Sequence, residues 1–132
     1  MHQLDIIAEK LVLIIFAVMM LPFTTGCEFK QFDHKRAEVS HLRMIGLAAE
    51  TYKITYERYP KSILAPEFKE YLDGESTDDE WGTEVKYQLT EDGYVVVSAG
   101  PDKKHGTADD MRLTSEHVGN WNKTAIREIT NG

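Results

Sequence analysis

From Val39 to Tyr59 the apolar residues Val39, Leu42, Ile45, Ala49, Tyr52, Tyr56 and Tyr59 recur at intervals of three and four. That spacing puts them on one stripe of an α-helix. Arg36, Glu38, His41, Arg43, Glu50, Lys53 and Glu57 fall largely on the other faces. A helix with a single apolar stripe needs another element to cover it. Asp33 suits the N-cap of this helix, after a short polar spacer from Glu28. Pro60 suits its end, because proline lacks the N–H donor and restricts the residue before it. Gly46 costs helix stability relative to alanine and is explained if the covering element approaches closely there.

The cover comes later in the chain, where the period changes to two. Val85, Tyr87 and Leu89 alternate with polar residues from Glu84 to Thr90, which predicts a strand with those three facing the helix. Asp92-Gly93 is a hairpin signal, and Tyr94 to Ser98 is the partner strand, with a valine run suited to a central position. Met111 to Thr114 is long enough for a third strand, and irregular structure is expected from Glu116 onward. Between helix and hairpin, Pro66 to Leu72 reads as a short helix capped by Gly74, with Phe68, Tyr71 and Leu72 on one side and Glu67, Glu70 and Asp73 solvated. Glu75 to Glu80 is an acidic loop, and Trp81 packs on the helix or hairpin. The expected fold class is α+β, a long N-terminal helix packed on a small antiparallel sheet.

The strand ending at Ser98 runs into Ala99-Gly100-Pro101-Asp102-Lys103-Lys104-His105-Gly106-Thr107-Ala108-Asp109-Asp110. Glycines and a proline let this loop fold back, so Asp102 can meet Asp109 and Asp110. Three carboxylates beside backbone carbonyls suit calcium, which takes about six to eight oxygen ligands in irregular geometry. A solvated acidic turn is the other reading. The EF-hand pattern D-x-[DN]-x-[DN]-G is absent.

The order Asp79-Glu80-Trp81-Gly82-Thr83, an alternating hairpin, Ser98-Ala99-Gly100-Pro101-Asp102, then Asp109-Asp110 and Gly119-Asn120-Trp121 resembles the C-terminal part of the major pseudopilin (protein G) of bacterial type II secretion. That family reads D-P-W-G-N, a hairpin, S-x-G-x-D, a paired acidic end and often G-N-W. Tyr52-Lys53 and Arg58-Tyr59-Pro60 are similar to the end of its long helix. The likeness covers Val39 to Trp121, with a shorter segment between Pro60 and Asp79. It implies a calcium-binding C-terminal loop, with Asp102, Asp109 and Asp110 as side-chain ligands and the carbonyls of Ala99 and Thr107 as backbone ligands. The family is cleaved after a glycine just before its apolar segment, with glutamate at the fifth mature position. Met1 to Lys10 carry no such glycine, although Glu9 precedes the apolar run.

That run, Leu11 to Phe23, is shorter than the roughly 20 residues of a spanning helix and fits the core of a signal peptide, about 7–15 residues long. Thr24-Thr25-Gly26-Cys27 follows and resembles a bacterial lipoprotein processing site, in which cysteine after a small residue becomes the lipidated N-terminus. Cys27 is the only cysteine, so an intramolecular disulfide is impossible. The organisation expected is residues 1–26 as a lipoprotein-type signal peptide or N-terminal anchor, and 27–132 as the soluble domain.

A formal net charge of −7 speaks against nucleic acid and against a polybasic membrane surface. His2, His34, His41, His105 and His117 have no zinc-motif spacing, and no Gly-rich phosphate loop, G-x-S-x-G elbow or Cys–His arrangement is present. No small-molecule substrate is indicated. The expectation is a non-enzymatic, lipid-anchored protein on the periplasmic side of the cell envelope, carrying a calcium-stabilised pseudopilin-like domain. It would have a structural or interaction role with type II secretion or other envelope proteins. An uncleaved or unusually processed pseudopilin that joins a pseudopilus, a free-standing envelope binding module, and a calcium-dependent enzyme without a recognisable catalytic constellation are the alternatives.

Overall fold

The computed structural model describes residues 25–122, 125, 128 and 129. The predicted apolar core Leu11 to Phe23 lies outside the described residues, as does most of the predicted leader. The chain divides into two compact units, Met1–Gln31 and Phe32–Gly132, and the packing described below belongs to the second.

Helix α1 spans Thr25–Tyr56, 32 residues. Asp33 is therefore inside the helix, not its N-cap, and Glu28 to Asp33 is helical, not a spacer. The physical reason is that no proline interrupts the sequence from Thr24 to Tyr59, and its charged residues are good helix formers. The helix also stops before Pro60 can act. Glu57 adopts the left-handed conformation at φ 57°, and its N–H closes on the Lys53 carbonyl at 2.8 Å. This is a C-terminal cap of the kind usually given to glycine.

The buried stripe of α1 is Val39, Leu42, Ile45, Ala48, Ala49 and Tyr52. Tyr56 departs from the expected stripe and is exposed, its ring against Tyr52 at 4.4 Å between centroids. Gly46 is where sheet and helix touch. A Cβ there would lie 2.6 Å from Val118 Cγ2 and 3.0 Å from Leu113 Cδ2. The Gly46 carbonyl accepts the Tyr94 hydroxyl at 2.9 Å.

After α1, helix α2 (Pro66–Lys69) continues as a 3-10 turn over Glu70–Leu72 and stops at Asp73, φ 51°, and Gly74. Phe68 and Leu72 are buried beside Tyr52, with the Tyr52 and Phe68 rings edge to face at 5.9 Å. Strands β1 (Lys86–Leu89), β2 (Tyr94–Ser98) and β3 (Met111–Thr114) form an antiparallel sheet in the order β1-β2-β3. The expected hairpin pairs Leu89 with Tyr94 and closes through Thr90 N–H to the Gly93 carbonyl, 2.9 Å. Valine-rich β2 is central, and Tyr94, Val96 and Ser98 face inward. The protein is thus α+β, a long helix packed on a small three-stranded antiparallel sheet.

Leu89 is not part of the core; it is 42% exposed. Its pairing with Tyr94 gives it the same face of the sheet, but it sits at the end of the edge strand, while the contact with the helix at Gly46 is made by Tyr94, Leu113 and Val118. The segment after β3 is also more regular than expected. Helix α3 (Ser115–Gly119) begins in a capping box in which Thr114 accepts the His117 N–H and His117 Nδ1 accepts the Thr114 N–H. His117 supplies here the side-chain acceptor that glutamate or glutamine ordinarily provides. Among the described residues no helix is long and apolar enough to cross a membrane.

Candidate metal centre

The loop leaving β2 is shaped by backbone close approach. Gly100 is buried at φ 71°, and a Cβ on it would fall 2.2 Å from the Asp109 carbonyl oxygen. Only glycine fits, and the two ends of the loop therefore meet. Lys103 (φ 58°) and Gly106 (φ 90°) turn the chain in between. Ala99 and Asp109-Asp110 are thereby brought to the loop's base.

The three aspartates then take different environments. Asp110 is 8% exposed, and its carboxylate accepts the Gly106 N–H at 2.7 Å and the Thr107 N–H at 3.4 Å; the Thr107 hydroxyl lies 3.5 Å from it and 3.2 Å from the Lys104 carbonyl. Asp102 is exposed on the rim and accepts the Lys104 N–H at 2.9 Å. Hydrogen bonding to Thr107, and then to that N–H, holds the Asp102 carboxyl below the usual carboxylate range. Asp109 is half-buried, with its N–H on the Thr107 hydroxyl at 3.4 Å. Thr107 thus stands between Asp102 and Asp110, and its carbonyl accepts the Asp110 N–H at 3.3 Å. His105, between the aspartates in sequence, donates from Nε2 to the Glu84 carbonyl at 2.9 Å and pins the loop to the segment before β1.

Among the described residues no three His, Cys, Asp or Glu side chains are gathered into a group that could hold a metal ion. The five residues implied as ligands nevertheless fit a hard cation in donor chemistry, being oxygen donors throughout. The glycine-only contact at Gly100 also closes the loop that carries them. Asp102 is the member whose carboxylate is engaged locally at the rim.

A second acidic cluster, not singled out from the sequence, lies between α1 and the strands. Asp79 is 5% exposed. Its Oδ1 accepts the N–H groups of Trp81 at 3.1 Å and Thr83 at 2.8 Å. Its Oδ2 accepts the Ser98 hydroxyl and the Ala99 N–H, both at 3.1 Å. Four donors fill the roughly four acceptor sites of a carboxylate. Glu38, assigned by periodicity to the polar faces, is fully buried, and its Oε2 accepts the Glu80 N–H at 2.7 Å. Its Oε1 has no protein partner. His41 Nδ1 lies 3.8 Å from Glu38 Oε2, and Nε2 donates to the Ser76 carbonyl at 2.8 Å. The neighbouring Glu38 carboxylate outweighs burial and, with the Ser76 carbonyl, pushes the His41 imidazole up to about 9.

The sequence signal for Asp79 was available: an aspartate opening a turn, with Gly82 at φ 81° three residues on. For Glu38 there was none beyond its place next to Val39. Trp81 is half-buried against the core as expected, near the His34 ring at 6.4 Å.

Cys27 falls in the first turn of α1. No protein-family model, curated protein or solved structure matches the chain.

Proposed function

We propose that this chain is a non-enzymatic envelope protein, lipid-anchored through Cys27, whose domain uses calcium to fix its C-terminal half as the type II secretion pseudopilin does. The observation that carries the reading is the closed loop from Ala99 to Asp110. Its ends meet at a glycine-only contact, and its oxygen donors stand in the order the resemblance requires. Asp102, Asp109, Asp110 and the carbonyls of Ala99 and Thr107 would hold the cation. The ion would remove repulsion among about three negative charges and tie β2 to β3.

The test is the melting of the full-length chain in calcium and in chelator. Calcium at about a hundred times its dissociation constant contributes about 2.7 kcal/mol. A rise in Tm of roughly 5–15 °C is expected for a domain of this size. Magnesium should replace it poorly, because it demands a tighter octahedron. Identical melting curves in calcium and chelator would leave only an acidic turn.

One observation favours a second reading of the N-terminus. The helix runs unbroken through Cys27 to Thr25, as an uncleaved anchor or an unusually processed pseudopilin would require. Mass spectrometry of the membrane-bound protein separates the two. An acylated Cys27 at the mature terminus supports the lipoprotein, and an intact Met1 supports the anchor.

A further inference from the structure

We infer that Asp79 is the positioning residue of the Ala99–Asp110 loop, orienting through Ser98 the peptide whose carbonyl belongs to the ligand set. The inference rests on the calcium reading and deepens it.

The Ala99–Gly100 peptide is the first one of the loop after β2. Its N–H, on Gly100, is donated to Ser98 Oγ at 3.2 Å. A trans peptide is planar, so fixing its N–H on one side fixes the Ala99 carbonyl on the other. The Ser98 hydroxyl accepts from Gly100 because its own proton is directed elsewhere, to Asp79 Oδ2 at 3.1 Å. The same Oδ2 takes the N–H of the preceding peptide, on Ala99, at 3.1 Å. Two consecutive peptide planes are therefore held by one carboxylate, one of them directly and one through the hydroxyl.

Asp79 is itself immobilised. It is 5% exposed, its Oδ1 is held by Trp81 and Thr83, and its own N–H closes on the Thr83 carbonyl at 2.7 Å. Its neighbour Glu80 is tied by its N–H to buried Glu38 of α1 at 2.7 Å. The start of the loop is thus referenced to the helix through Glu38, Glu80, Asp79 and Ser98. Ser98 is fully buried, so water cannot substitute for these bonds from outside. Groups that orient metal ligands in this way typically contribute about 10–100-fold to metal affinity.

The experiment compares the full-length wild type with Asp79→Asn and Ser98→Ala. Asp79→Asn keeps the shape but turns an acceptor toward Ala99 into an N–H. Ser98→Ala is the milder change and leaves Asp79 bonded to Ala99. Calcium is titrated by calorimetry, and melting is followed in chelator and in calcium. Amide hydrogen exchange of Gly100 is followed in chelator.

The expected result is a calcium affinity about 10–100-fold below wild type in both variants. The calcium-dependent rise in Tm should shrink, and exchange at Gly100 should accelerate in the metal-free protein. A merely structural residue would lower both melting temperatures equally and leave the rise intact; that outcome overturns the proposal. So does a Ser98→Ala protein whose affinity stays within about twofold of wild type. If wild type itself shows no calcium response, the calcium reading fails first, and the Gly100 exchange rate still reports whether Asp79 holds the peptide.

Discussion

Two acidic segments of this protein handle negative charge in opposite ways. Around residues 78–83 the carboxylates are withdrawn from water: Asp79 is held by four donors, and Glu38 of α1, packed against this segment, by the Glu80 N–H through Oε2 with the His41 imidazole beside it. In Ala99–Asp110 only Asp110 is buried, while Asp102 sits exposed on the rim. In the first cluster Asp79 is fully satisfied from within, while Glu38 is held through Oε2. The second presents oxygen donors that internal N–H groups only partly use. Acids adjacent in sequence thus end in different environments: Asp79 collects three backbone N–H groups and a hydroxyl, Asp110 two backbone N–H groups and Asp102 one.

The largest effect should come from breaking the buried cluster. His41→Ala removes the cation beside Glu38, leaving a fully buried carboxylate with only the Glu80 N–H. Removing one partner of a buried pair costs about 3–5 kcal/mol, and urea denaturation should show the lower part of that range, because one hydrogen bond survives. The loss should be equal in calcium and in chelator, since the pair lies outside the loop. A loss below about 0.5 kcal/mol would place His41 with ordinary surface residues and dissolve the contrast.

The same pair predicts a pH dependence. The folded imidazole titrates at about 9 against 6.5 for its ordinary value. A raised pKa means that the folded state holds the proton more tightly. Its stabilisation is therefore fully present below pH 6.5, declines as pH rises toward 9 and is lost above that. Urea midpoints at about pH 6 and above pH 9 should differ, and His41→Gln should flatten the slope. A wild-type midpoint that is level across this window sinks the claim.

The parts of the fold set by periodicity were legible: the stripe Val39 to Tyr52, the Asp92-Gly93 hairpin, the central β2 and the third strand. What was not legible depended on tertiary contacts. Leu89 continues a regular alternation but ends the edge strand and stays exposed there, while Tyr87 of the same strand packs on the core. Glu38 reads as polar face, yet the turn after Asp79 folds over it and supplies an N–H. The helix after β3 depends on His117 as the capping partner, an unusual residue for that place. In the loop, sequence picked out the aspartates, but the glycine-only contact at Gly100 and the linkage through Thr107 emerge only in three dimensions. Asp79 could be read as a turn opener, but its wider role could not, because that role lies in donors 19 and 20 residues away on Ser98 and Ala99.

The finest test of the comparison is inside the loop, between Asp110 and Asp102 in chelator. Asp110→Ala removes the buried acceptor of the Gly106 and Thr107 N–H groups, which belong to exposed residues. Water can reach those donors, so the metal-free protein should lose about the net value of the bonds themselves, roughly 0.5–1.5 kcal/mol each. Asp102→Ala removes an exposed carboxylate whose Lys104 N–H partner water can replace. Its metal-free stability should stay close to that of wild type and above that of Asp110→Ala. In calcium the ranking should change, with both variants losing the metal-dependent rise in Tm. Asp102 would then be a residue with almost no role in the empty fold and a full role in the loaded one. If Asp102→Ala kept the calcium-dependent rise, Asp102 would drop out of the ligand set. If it destabilised the protein as much as Asp110→Ala in chelator, the loop would be fastened throughout, like the segment around Asp79.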